Sequence, residues 1–105
     1  MYRCLLIGAG GIGGRWIREF LPVHRERVRV SAIADISPAA RKEAGDDVGL
    51  PASERYPTMD AAFAGAEADF CVVAVPPEHH RRAVMGAVGR GLPVLSEKPI
   101  SDKFA

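Results

Sequence analysis

The apolar residues of this chain fall into two alternating kinds of segment. Short runs, "CLLIG" at 4–8, "VRVSAIAD" at 28–35, "DFCVVAV" at 69–75 and "PVLS" at 93–96, are aliphatic or β-branched and mostly lack polar alternation. Strands of a parallel sheet covered on both faces read this way. Between them lie segments of helical period. Ile12, Trp16, Ile17, Phe20 and Leu21 share one face before Pro22, which is expected to stop that helix. Ala83, Val84, Ala87 and Val88 make a second stripe, expected to end near Gly89 and Gly91. Ser37-Pro38 predicts an N-cap with proline at the first helical position, and Gly45 the stop of that helix. Thr58 is expected to cap a short helix through Phe63 that ends at Gly65. Residues 46–57 are the least regular part, with room for one short edge strand near Arg55-Tyr56.

Strand and helix in alternation, joined by right-handed crossovers, predict an α/β fold. The expected architecture is a doubly wound parallel sheet of about five strands in the order 3-2-1-4-5. Its ligand crevice lies where strands 1 and 4 diverge. A length of 105 residues fits one domain spanning 1–105.

Composition narrows the partners. With 14 Lys and Arg against 13 Asp and Glu, the net charge of +1 gives no electrostatic case for nucleic acid or an anionic membrane. The basic cluster "HRERVRV" reads as a solvated helix-to-strand turn. No 18-residue apolar stretch is present, so a soluble protein is expected. Cys4 and Cys71 sit singly in apolar runs and read as buried structural thiols, which fits a cytoplasmic setting. The adjacent His79 and His80 lack the i, i+4 spacing and third ligand of a metal centre, so no metal is expected.

The chemistry begins at "LLIGAGGIGGRWI", where Gly8, Gly10 and Gly13 stand in G-x-G-x-x-G spacing between a buried strand and an amphipathic helix. Gly8 permits a tight turn, Gly10 a close approach of backbone to a pyrophosphate, and Gly13 close packing of helix on strand. Free N–H groups at the helix start favour the anion. The second strand ends in Asp35, 22 residues after Gly13, where a carboxylate accepts hydrogen bonds from both adenosine ribose hydroxyls and repels a 2′-phosphate. NAD is therefore expected over NADP, although Arg41 and Lys42, one helical turn on, could reach a phosphate. Ile36 lies where it could pack against adenine. The loop after strand 4, Val75-Pro76-Pro77, is expected to pass under the nicotinamide ribose. His79 and His80 follow in the first helical turn, where histidines are more often solvated than functional.

Together "IGAGGIGG", "AIAD", "VVAVPPEHH" and "GLPVLSEKPIS" resemble the N-terminal NAD(P)-binding Rossmann domain of the Gfo/Idh/MocA oxidoreductases, over roughly residues 3–101. The most specific element is "EKP", Glu97-Lys98-Pro99. The resemblance implies that Lys98 projects into the nicotinamide site as the catalytic amine, stabilising alkoxide charge and assisting proton transfer. It implies that Glu97 contacts the cofactor's ribose or carboxamide side, and that Pro99 aims the lysine. His80 falls where the family commonly has a histidine; His79 has no such support. The family's Thr-Pro-Asn at the strand-4 turn is replaced by Val75-Pro76-Pro77, so two polar contacts are missing. The expected cofactor set is Gly8, Gly10, Gly11, Ile12, Gly13, Asp35, Ile36, Val75, Pro76, His80, Glu97 and Lys98.

By the same resemblance, the whole protein is expected to be a homo-oligomeric NAD(P)-dependent oxidoreductase that moves hydride to or from a sugar, polyol or related alcohol. Its substrate domain is expected to be absent from this chain, which should bind cofactor without turning over. Two alternatives stay open. One is a non-catalytic dinucleotide sensor, which has no need of Lys98; the other is transient oxidation during glycoside cleavage.

Overall fold

The structure, a computed structural model, describes residues 1–10, 12–24 and 26–96. Five parallel strands form one sheet: β1 (Tyr2–Ile7), β2 (Val28–Ala34), β3 (Arg55–Tyr56), β4 (Phe70–Val73) and β5 (Val94–Ser96). Their order, β3-β2-β1-β4-β5, is the one expected from the sequence. The central β1 is buried continuously from Cys4 to Ile7, as an apolar run without alternation requires.

Among the described residues, four helices of more than one turn cover the two faces. Helix α1 spans 12–24, α2 is Pro38–Val48, α3 is Met59–Gly65 and α4 is Pro77–Gly89. One core layer joins Cys4, Leu6, Val30, Ile33 and Val72 to Trp16 and Ile17 of α1 and Ala44 of α2. The other joins Leu5, Ile7, Ala32, Ala34, Cys71 and Val73 to Ala62 and Phe63 of α3 and Ala83 and Ala87 of α4. Successive strand residues thus serve opposite layers, which is how a covered sheet spends an unbroken apolar run. Strand β2 resets its phase once. Cys4 pairs with Val30 and Leu5 with Ala32, so Ser31 is bulged out of the ladder. The Ser31 hydroxyl is buried but donates toward the Cys4 (3.5 Å) and Glu67 (3.3 Å) carbonyls.

The caps at Ser37 and Thr58 form as expected, each side-chain oxygen accepting an N–H three residues on, from Ala40 (3.2 Å) and Ala61 (3.1 Å). Three expectations change. Helix α1 does not stop at Pro22; it runs through it to His24, with a π-helical turn at Trp16–Phe20. A proline has no N–H for the residue four back and its ring crowds that carbonyl, and a wider turn just before it relieves both. Helix α2 passes Gly45 and ends at Gly49, which takes the left-handed conformation at φ 71°. Gly45 instead lies beneath the Arg55 guanidinium, which donates to the Leu50 carbonyl and pairs with Asp46 at 2.9 Å. In the α4 stripe, Ala83 and Ala87 are buried but Val88 is 60% exposed.

Cys4 and Cys71 are both buried and free. They lie on adjacent strands in opposite core layers. Burial pushes the Cys71 thiol from its ordinary 9.0 up to about 12 and raises Cys4 further still, with the Cys71 charge adding to the effect. The unfolded chain therefore loses these protons first, and the thiols' contribution to stability is present below pH 9 and is lost as pH rises toward about 12. Cys71→Ala is expected to lose less stability than the wild type between about pH 8 and about pH 10.5. Urea unfolding at both values reads this, and equal losses in the two proteins would refute it.

Candidate active site

Strands β1, β2 and β4 end level: Ile7 pairs with Ala34 on one side and Val73 on the other. Just beyond, the Gly8 N–H donates to the Ala34 carbonyl (2.8 Å), the Ala74 N–H to the Ile7 carbonyl (2.8 Å) and the Asp35 N–H to the Tyr56 carbonyl (3.1 Å). Gly8, Asp35 and Ala74 are thereby tied into one row along the carboxyl edge of the sheet, where ligands of open α/β sheets bind. A cleft of about 760 Å³ opens on this row.

The glycine loop leaves β1 through Gly8 at φ 94°, a conformation that side chains disfavour. A Cβ on Gly8 would run into the Ala74 carbonyl, and one on Gly13 would run into the carbonyl of Gly8. Fold packing alone therefore demands glycine at both. Gly10 differs. Its φ is not left-handed, and a Cβ there would meet only the Ala40 methyl, at 3.9 Å. Nothing among the described residues requires a bare backbone at Gly10.

Asp35 closes the loop from the other side. Its Oδ2 accepts the Ala9 N–H at 2.7 Å and its Oδ1 the Ser37 N–H at 2.8 Å. The carboxylate thus fixes both the glycine turn and the entry to α2, while lining the cleft. Arg41 is half-buried and donates from Nη1 to the Asp35 carbonyl at 2.8 Å, so a fixed cation stands behind the carboxylate. Lys42 is committed on the helix surface to Asp46, at 2.9 Å.

Of the residues proposed from the sequence, Gly8, Gly10, Asp35, Ile36, Val75 and Pro76 all line the cleft. Ile36 is 78% exposed there. Gly13 lies behind the loop, in contact range of Gly8 and Ala74. His80 is half-buried and is not on the cleft wall; its neighbour His79 is. Gly11, Glu97 and Lys98, with Pro99 after them, lie outside the described residues, as does the side chain of Ile12. The cleft also takes in Thr58, Met59 and Asp60 at the start of α3, and Arg82 of α4. No motif announces these four. They reach the cleft because α3 and α4 pack together, with Phe63 against Gly86 and an ion pair of 2.6 Å between Arg82 and Asp60. Among the described residues no group of three His, Cys, Asp or Glu side chains could hold a metal, and no helix is long and apolar enough to cross a membrane.

A strand, a glycine turn into a helix, and a carboxylate at the end of the next strand define a dinucleotide-binding α/β domain. The sequence pattern of the Gfo/Idh/MocA oxidoreductase family, described as an NAD-binding Rossmann fold, matches residues 2–105, and the chain belongs to that family. It is 40% identical over 103 residues to the uncharacterized protein y4oX of Sinorhizobium fredii, covering 96% of this chain and 29% of y4oX. It is 38% identical over 97 residues to inositol 2-dehydrogenase of Streptomyces avermitilis, covering 90% of this chain and 27% of that protein. The fold matches the WlbA dehydrogenase of Bordetella pertussis, solved with NADH and UDP-GlcNAcA, with a TM-score of 0.83 at 26% identity; the match covers 97% of this chain and 30% of WlbA. The chain spans less than a third of the length of these proteins.

Proposed function

We propose that this domain holds NAD across the carboxyl edge of its sheet, as the cofactor half of an enzyme that moves hydride to or from a ring hydroxyl of a polyol or sugar. The observation that carries this is the bare backbone at Gly10 facing the Asp35 carboxylate across one cleft. The residues fit the cofactor. The loop N–H groups and the start of α1 suit a pyrophosphate, and Asp35 keeps acceptor capacity for ribose hydroxyls beyond the two backbone bonds it already makes. Val75 and Pro76 form an apolar wall on the β4 side. The nicotinamide, when bound, supplies the hydride chemistry. By the family resemblance, Lys98 is the amine that stabilises alkoxide charge on the substrate oxygen and assists its proton transfer, and Glu97 contacts the cofactor's ribose or carboxamide side. The substrate half of the cleft belongs to a separate region of the whole protein, as the longer relatives suggest.

Calorimetric titration with NADH and NADPH tests the cofactor reading. Wild type is expected to bind NADH more tightly, because the Asp35 charge would oppose a 2′-phosphate. In Asp35→Ala the NADH to NADPH affinity ratio is expected to fall by about tenfold or more. The ratio is the diagnostic quantity, because losing the bond to Ala9 could loosen the loop and weaken both nucleotides together. Failure of wild type to bind either nucleotide, or an unchanged ratio, would overturn the reading.

A further inference from the structure

We propose that the Asp60–Arg82 pair reads the edge of the cofactor's adenine and selects a 6-amino purine over a 6-oxo purine. The inference rests on the nucleotide reading above and extends it to a part of the cleft that no sequence motif marks. With the pyrophosphate on the glycine loop and the adenosine ribose at Asp35, the base lies beyond the ribose. That places it past the end of β2, on the α3 and α4 side of the sheet. The cleft there has an exposed apolar surface, Ile36, and then a polar rim formed by Asp60 and Arg82.

The chemistry of that rim matches adenine. The pair engages Arg82 Nη2 and Asp60 Oδ2 at 2.6 Å, which leaves Asp60 Oδ1 outside it as an acceptor and the other guanidinium N–H groups as donors. Adenine presents an exocyclic amine, a donor, beside ring nitrogens that accept. A carboxylate acceptor next to a guanidinium donor is the complement of that edge. Hypoxanthine reverses that edge, with a carbonyl at the same carbon and an N–H at N1. In the pose that sets adenine's amine against Asp60 Oδ1, two acceptors would then face each other and the Arg82 donors would face an N–H. Arg82 acts as the positioning residue. It comes from a helix 22 residues further along the chain and holds the carboxylate against the cleft wall.

The test compares NADH with reduced nicotinamide hypoxanthine dinucleotide, which differ at that carbon and in the proton on the adjacent N1, on the wild-type chain, Asp60→Ala and Asp60→Asn. Wild type is expected to prefer NADH by about tenfold, the worth of one charge-assisted hydrogen bond. Asp60→Ala is expected to bring the ratio to within about twofold, with the loss on the NADH side. Asp60→Asn, whose amide can donate as well as accept, should bind the hypoxanthine form more tightly than Asp60→Ala does. The Asp60 side chain stands exposed at the rim, so an unaltered urea midpoint serves as the folding control. NADH binding with the same base preference in all three proteins would overturn the adenine contact and leave the nucleotide reading intact. No NADH binding by the wild type would overturn both.

Discussion

Gly8→Ala is expected to cost about 2–6 kcal/mol of folding stability. Two costs add. A residue with a Cβ at φ 94° gives up about 1–3 kcal/mol to backbone strain. The new methyl must also displace the Ala74 carbonyl, which is backbone. A main-chain atom at the sheet edge yields less readily than the far end of a flexible side chain. Overpacking of this kind costs about 1–3 kcal/mol. A domain of this size has about 5–15 kcal/mol in total, so the substitution consumes much of the margin. Gly13→Ala sharpens the case. Gly13 is helical, and alanine there would ordinarily gain about 1 kcal/mol. Its methyl would nevertheless run into the Gly8 carbonyl, so the sign is expected to reverse to a loss of about 1–2 kcal/mol. Urea midpoints measure both. A Gly13→Ala protein as stable as wild type would mean that the loop yields, and that its glycines are not fixed by packing.

The order of the sheet was legible because each central strand carries an apolar run with little polar alternation and each crossover has one allowed hand. The caps at Ser37 and Thr58 were legible because a cap is a local event, completed within three residues. What escaped the sequence depends on partners distant in the chain. Gly45 looked like a helix stop, but it is a glycine because Arg55, ten positions on, lies across it. Pro22 looked like a stop, yet helix α1 absorbs it with one wide turn while Trp16 and Ile17 keep their places in the core. The bulge at Ser31 leaves no mark in the apolar pattern. Its hydroxyl finds carbonyls on β1 and near β4 that only the folded sheet brings within reach.

The candidate site divides along the same line. Gly8, Gly10, Gly13 and Asp35 belong to a spacing that can be read, since a strand, a turn and a helix in series place them by local geometry. The far wall comes from two helices whose meeting is a tertiary event, so Thr58, Asp60 and Arg82 carried no signal. His79 and His80 are adjacent in sequence, and a helical turn sends them to different surroundings. Only the three-dimensional arrangement shows that His79 is the one on the cleft.

Gly10→Ala separates the fold from the function most cleanly. Among the described residues there is room for the methyl, with the nearest atom 3.9 Å away, and the backbone there is not left-handed. Alanine in place of glycine at such a site narrows the unfolded ensemble, so stability is expected to hold or to rise by about 0.4–1 kcal/mol. NADH affinity is expected to fall by about 100-fold or more. The methyl would occupy the space where a pyrophosphate oxygen approaches the loop, and losing about two charge-assisted hydrogen bonds at about 1.5–3 kcal/mol each gives a change of that order. The two readings have opposite signs, which no general loosening of the loop can produce: a damaged loop would lose stability and affinity together. Thermal unfolding and nucleotide titration on the same preparation decide it. A stable Gly10→Ala chain that still bound NADH as wild type does would place the phosphates elsewhere, and the open space beside Gly10 would then need another explanation.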